Sequence, residues 1–325
     1  MSPKIRRMRN SIPIAVLRID DTRRQYNLGM QQARILCIPN FSEGRDTATI
    51  RAIVDAVSSA KVQIHHLSWD EDHHRTVLAF SGTPPQVRRA VLQMGAVAIE
   101  RIDLTRHRGA HPRIGAVDVV PFVPLEGLTR EQAVVWSHRV ARAFARRLRV
   151  PVYLYEHSAR EGRVRDLPTL RKGEFEGWVG KRLVGERAPD FGPKRLHPTA
   201  GATIMGVRDP LIALNCYIHP PDYDLAREIA RRIRAERETN PALRGVRALG
   251  LWLPSRRAAQ VSLNITQTDQ TDMFRVVDAV RQIADAMRVE VVATELVGVV
   301  LAQDAARALK SALEMPGFDS QQIVR

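Results

Sequence analysis

Between residues 211 and 297 the chain changes its hydrophobic period in a fixed order, and no other feature constrains the fold as tightly. Residues 211–218 read as a strand, 223–238 as an amphipathic helix, 246–253 and 259–266 as two more strands, 273–287 as a second helix and 289–297 as a last strand. That β-α-β-β-α-β order is the ferredoxin-like split unit. A boundary near residue 208 follows from where it begins.

The preceding part alternates strands and helices less regularly. A strand over 35–41 ends at Pro39, and a helix follows with Ile50, Ile53, Val54 and Val57 on one face. Strands over 62–69 and 75–80 flank a polar loop at 70–74. Pro84 opens a helix to about residue 102, as a first-turn proline should. A strand over 117–123, a helix over 130–147 and a strand over 150–156 come next. Residues 158–200 are basic, rich in Gly and Pro and poor in periodicity, which reads as a linker or a functional loop. At 325 residues the chain exceeds the usual span of one core. The expected class is α+β, with two α/β subdomains over 30–207 and 208–325.

The formal charge of +15 predicts attraction to polyanions: nucleic acid, an anionic membrane surface, or a small polycarboxylate. Residues 1–29 hold a net +5 of it and read as a basic extension outside the fold, disordered or reflecting a start assigned too far upstream. Their longest apolar stretch is too short for a secretory signal or a membrane span. Cys37 and Cys216 lie far apart in apolar runs, so two buried thiols in a cytoplasmic, reducing compartment are expected.

Six of the ten histidines fall between residues 65 and 111. His107 and His111 have the i, i+4 spacing of a zinc-binding helix, but Gly109 and Pro112 deny them that helix and no glutamate stands between them. Strand alternation also sends His65 and His66 to opposite faces. Acid-base chemistry suits His111 better than a metal, since a free imidazole exchanges its proton near neutrality. The stretch RHRGAHPRIGAVDVVPF, residues 106–122, mounts it just ahead of a strand. Around it, His107 could orient the ring or bind substrate, and Asp118 could fix the ring or pair with Arg113. Arg75 could clamp a carboxylate through its planar fork or pair with Asp70 or Asp72.

PNFSEG at 39–44, the acidic stretch ending in Arg75-Thr76, RHRGAHPRIGAVDVVPF, and APDFGP with GATIMGVR occur here in one order, joined by VPVYLYE, AQVSLN and ELVG. In these segments the chain resembles the formiminotransferase family, over about residues 33–310. The resemblance implies transfer of a formimidoyl group between N5 of tetrahydrofolate, the co-substrate, and the amino nitrogen of glutamate, a step of histidine degradation and one-carbon metabolism. It places the family's catalytic histidine on His111 and a folate-contacting loop on Gly192, Pro193, Lys194, Arg195, Leu196, His197, Pro198, Thr199, Ala200 and Gly201. It also implies a folate groove between the subdomains and a homodimer; no metal and no membrane partner are expected. The steering charge expected at the groove comes from Arg75, Arg113, Lys194 and Arg195. Ala110, His74, His66 and Ser68 depart from the mammalian pattern, which leaves a formyl donor or another acceptor amine as alternatives.

A reading of another class is a basic ferredoxin-like nucleic-acid binder. It needs aromatic residues on the central strands to stack bases. The two strands taken as central, VRALGLWL and AAQVSLNI, offer only Trp252, which argues against it.

Overall fold

The computed structural model describes residues 32–164 and 166–315, with Phe318 and Gln321. The reading of residues 1–29 lies outside the described residues. Two sheets organise the chain. The first contains β1 (Arg34–Cys37), β2 (Asn40–Phe41), β3 (Gln63–Asp70), β4 (Arg75–Gly82), β5 (Val117–Glu126), β6 (Val152–Leu154) and β7 (Thr203–Val207). Pro39 splits the expected 35–41 strand, and each half, β1 and β2, pairs antiparallel with both β4 and β5. On the far side of β5, β7 runs parallel to both β5 and β6, while β3 closes the opposite edge on β4.

Helices α1 (Thr47–Ser58), α2 (Pro84–Arg101) and α3 (Arg130–Leu148) pack side by side, with α2 and α3 against this sheet. Ahead of helix α1 the Glu43 carboxylate accepts from the backbone N–H of Gly44, Arg45 and Asp46. Asp46 then caps the helix through Ala48 and Thr49. Phe41, Phe80, Phe122 and Phe144 are all fully buried in the core between the layers. The segment read as a possible linker is packed structure: it holds the short helices α4 (Leu167–Arg171) and α5 (Glu174–Trp178), and Leu170, Phe175 and Leu183 join the core.

The second subdomain follows the expected order: β8 (Ile212–His219), α6 (Tyr223–Glu236), β9 (Val246–Leu253), β10 (Ala258–Ile265), α7 (Met273–Asp285) and β11 (Glu290–Val297). An unanticipated helix, α8 (Ala302–Ala312), packs on α7. The sheet order is β11-β8-β10-β9, every pair antiparallel. The central strands are therefore β8 and β10; β9, taken as central from the sequence, is an edge. Its Trp252 packs with the core cluster, so the one candidate stacking residue belongs to the helix-side core.

The subdomains meet at the β9–β10 turn. Ser255 donates from its backbone N–H to the Asp72 carboxylate at 3.2 Å and from its hydroxyl at 2.6 Å. Arg256 donates to Asp70 at 2.9 Å and to the Tyr217 hydroxyl at 2.9 Å. The β3–β4 turn, which immediately precedes Arg75, is thus held by the second subdomain.

Candidate active site

Three loops converge at the mouth of β5: residues 41–44, the turn 70–75, and residues 106–113. Backbone bonds lock them together. Ser42 N–H donates to Ala116 and its hydroxyl to Gly115, while Ala110 N–H donates to Asp72 at 3.0 Å. Gly109 makes the last approach possible, because a Cβ there would lie 2.5 Å from the His73 carbonyl oxygen and 2.8 Å from the His74 Cβ. The enclosed space is lined by Phe41, Ser42, His73, His74, Arg75, His107, His111, Arg113 and Asp118, and measures about 10 Å³. That is about one water's worth of room.

Within the cluster the two candidate imidazoles are wired differently. At His107, Nε2 lies 3.0 Å from the His74 carbonyl, to which it must donate, and Nδ1 accepts from Arg113 Nε at 3.0 Å. Both ring nitrogens are spent, and burial pushes its pKa down to about 4. His107 is a neutral brace between two loops, with no nitrogen left to orient His111. At His111, Nδ1 lies 2.7 Å from the Pro112 carbonyl and must carry the proton. Its Nε2 then presents a lone pair, which accepts from Arg75 Nη1. Burial, then the Arg75 and Arg171 guanidiniums, hold the His111 pKa well below the ordinary imidazole value. The ring is a neutral base at pH 7 whose lone pair, inside the cluster, is occupied by Arg75.

Arg75 makes neither of the ion pairs anticipated for it. Asp70 goes to His73 and Arg256, and Asp72 to Ser255. Among the described residues no carboxylate pairs directly with Arg75, and its buried Nε has no partner. Burial, with Arg171 beside it, pushes the guanidinium pKa down to about 9. Arg113, by contrast, is fully engaged: it reaches Glu176 through two bonds of 2.7 and 2.6 Å and Glu174 at 3.1 Å. The Arg113 hydrogen bond in turn pulls the Glu176 carboxyl down to about 2. The suggested Arg113–Asp118 pair is therefore corrected. Asp118 accepts from Ile114 N–H at 2.8 Å and pairs with Arg171.

The loop 192–201 sits behind this cluster and lines none of the enclosed space. Its hairpin closes between His197 and Gly201 at 2.9 and 3.0 Å. Thr199 and Ala200 carbonyls accept from Leu104 and Ala116, and Ala202 N–H donates to Ile114, so the hairpin clamps both ends of the histidine loop. Gly201 has φ +67°, and any Cβ would strike the Ile114 carbonyl. Leu196 and Ala200 are buried, while Gly192, Pro193, Lys194, Arg195 and Pro198 are exposed.

Arg171, Glu174 and Glu176 were not anticipated. They come from the weakly periodic segment, and only the helical i, i+3 spacing of Leu167 and Leu170 could have hinted at order there. The histidines farther along β3 are dispersed: a bulge at His65 breaks the expected alternation, and His66 bonds Ser68 at 2.9 Å. Among the described residues no group of three or more His, Cys, Asp or Glu is placed to hold a metal ion, and no helix is long and apolar enough to cross a membrane.

Comparison with known proteins agrees with this architecture along almost its whole length. Residues 34–208 match the formiminotransferase domain, N-terminal subdomain, and residues 213–312 match the formiminotransferase domain. The chain is 36% identical over 284 residues to a glutamate formimidoyltransferase of Streptococcus pyogenes, covering 87% of this chain and 94% of that protein. It is 35% identical over 291 residues to the glutamate formimidoyltransferase of Thermoplasma acidophilum, covering 89% and 95%. A formimidoyltransferase-cyclodeaminase of Gallus gallus is 37% identical over 268 residues, covering 81% of this chain and 49% of that longer protein. With two adjoining domain matches and two relatives this similar over nearly their full length, the chain belongs to the formiminotransferase family.

Proposed function

We propose that this protein transfers a formimidoyl group between 5-formimidoyltetrahydrofolate and the amino nitrogen of glutamate, with His111 as the proton carrier. The observation that carries this reading is the pair at the centre of the cluster: a neutral imidazole whose lone-pair nitrogen faces a buried guanidinium that has no carboxylate of its own.

The chemistry follows from the substrates. Glutamate's amine is an ammonium in water and cannot attack until a base removes its proton. His111 Nε2 is that base, and the imidazolium then returns the proton to N5 of the folate as the carbon–nitrogen bond breaks. Arg75 couples binding to activation. A substrate carboxylate makes charge-assisted, bidentate bonds with a guanidinium, which a neutral imidazole cannot match. Arrival of glutamate therefore draws Arg75 off His111 and frees Nε2. Asp118 holds Arg171 beside the pair, so the local field disfavours imidazolium in the resting state and speeds release of the proton to N5. Alignment of the two substrates supplies the larger part of the rate.

The exposed Lys194 and Arg195 suit the folate tail, with the 192–201 hairpin as the folate-contacting loop. A homodimer in the cytoplasm completes the reading; the buried free thiols of Cys37 and Cys216 suit a reducing compartment. Incubation with 5-formimidoyl- or 5-formyl-tetrahydrofolate, each with glutamate, followed by product mass analysis, tests class and donor together. N-formimidoylglutamate formed with the first donor supports the assignment; N-formylglutamate alone would move it to formyl transfer, and no product with either would refute it.

A further inference from the structure

The two faces of the second sheet differ in chemistry. On β10, Ala259, Val261, Leu263 and Ile265 belong to the apolar core under α6 and α7, so alternation points Gln260 the other way. Its register partners are Tyr217 on β8 and Leu251 on β9. The Tyr217 hydroxyl donates to Glu295 at 2.8 Å and accepts from Arg256, whose second nitrogen reaches Asp70. Asp70 in turn bonds His73 at 3.0 Å, and the His73 ring stands edge-on to His111 at 6.4 Å between centroids. Gln260 therefore lies on the face turned toward the His111 cluster.

Its side chain is an anomaly there. Gln260 is 1% exposed, and among the described residues neither its Oε1 nor its Nε2 has a hydrogen-bond partner. A buried amide left unpaired at both ends is costly, and folded proteins retain such groups where something else completes them. The amide offers a donor and an acceptor side by side. A carboxylate, from glutamate or from the folate tail, supplies acceptors only and would set an oxygen against Oε1. The pyrimidinone edge of a pterin carries a carbonyl acceptor next to an N–H donor and an amino group, so it satisfies both atoms at once.

We propose that Gln260 binds the pterin ring of folate by pairing its amide with that edge, which makes it a specificity residue on the second subdomain for a reaction whose base sits on the first. The inference rests on the formimidoyltransferase reading. The test compares wild type, Gln260→Met and Gln260→Glu by calorimetry with 5-formyltetrahydrofolate and with p-aminobenzoylglutamate, the same tail without a pterin, alongside the KM for glutamate and the melting temperature. Gln260→Met should weaken 5-formyltetrahydrofolate ~10- to 100-fold, the effect of one buried group left unpaired. Tail affinity and glutamate KM should stay within twofold, and the melting temperature should hold or rise because an unpartnered polar group is gone. Gln260→Glu should recover affinity as pH falls, since a protonated carboxyl again offers donor and acceptor. Folate affinity within twofold of wild type in both variants overturns the inference and assigns the amide to buried water; parallel loss of pterin and tail affinity, or a lowered melting temperature, overturns it in favour of a structural role. Wild type that binds no folate overturns the inference and the function reading together.

Discussion

Replacing Gly109 by Ala isolates the geometry of the site from its chemistry. Gly109 does not have a positive φ, so alanine meets no conformational strain and the whole effect is contact. The new Cβ would lie 2.5 Å from the His73 carbonyl oxygen, where ordinary contact begins at 3.4 Å, so the loops must part by about 0.9 Å. His111 lies two residues beyond Gly109 and Arg75 two beyond His73, so that displacement falls directly on the Arg75–His111 pair. A misplacement of about 1 Å can cost on the order of a hundredfold in rate. Overpacking costs about 1–3 kcal/mol, and each kcal/mol lowers the melting temperature by about 2–4 °C in a domain of this size. Steady-state transfer and a thermal melt read the two effects. We expect kcat/KM down roughly a hundredfold with a folded, somewhat less stable protein. Activity within threefold of wild type, despite the substitution, would refute the claim that the fit of these two loops sets the reacting geometry.

Arg75→Lys keeps the charge and removes the fork; the KM for glutamate should rise ~10- to 100-fold, with folate affinity unchanged, as one charge-assisted bond is lost. An unchanged glutamate KM would place the acceptor carboxylate elsewhere. His107 predicts an acid sensitivity. Its pKa falls from 6.5 unfolded to about 4 folded, so the unfolded state takes up the proton first and stability declines as pH drops from 6.5 toward 4, by about 3 kcal/mol at most. Urea melts across that window should show a smaller decline for His107→Gln than for wild type; equal slopes would assign the sensitivity to other groups.

The split β-α-β-β-α-β unit was legible because each element there is long enough to declare its period. Strand β7 was not, for the opposite reason: TIMGV is short, buried on both faces and preceded by glycine and proline, so it offers no alternation to detect. Helix α8 hides its buried face in Ala306 and Ala308, residues too small to mark an apolar stripe. The candidate-site loop was legible from Gly109, Pro112 and its histidines, and the cluster does bring His111, Arg75, His107, Arg113 and Asp118 together. Their partners were not legible. Sequence order suggested Arg113 with Asp118, whereas the ion pairs run from Arg113 to Glu174 and Glu176 and from Asp118 to Arg171, across more than fifty residues of chain. Such pairings are set by how α4 and α5 pack under the loop, which a local pattern does not encode. The same holds for Gln260, whose unpaired amide is visible only once the second sheet has a buried face.

The assignment of His111 as proton carrier is tested most directly by His111→Ala, measured for single-turnover transfer and for folate binding, with and without added imidazole. The account predicts a fall in turnover of roughly a hundredfold to ten-thousandfold, a folate Kd close to wild type, and partial recovery of rate with imidazole. An equal loss of turnover and folate affinity, without rescue, would contradict it and make His111 a binding residue.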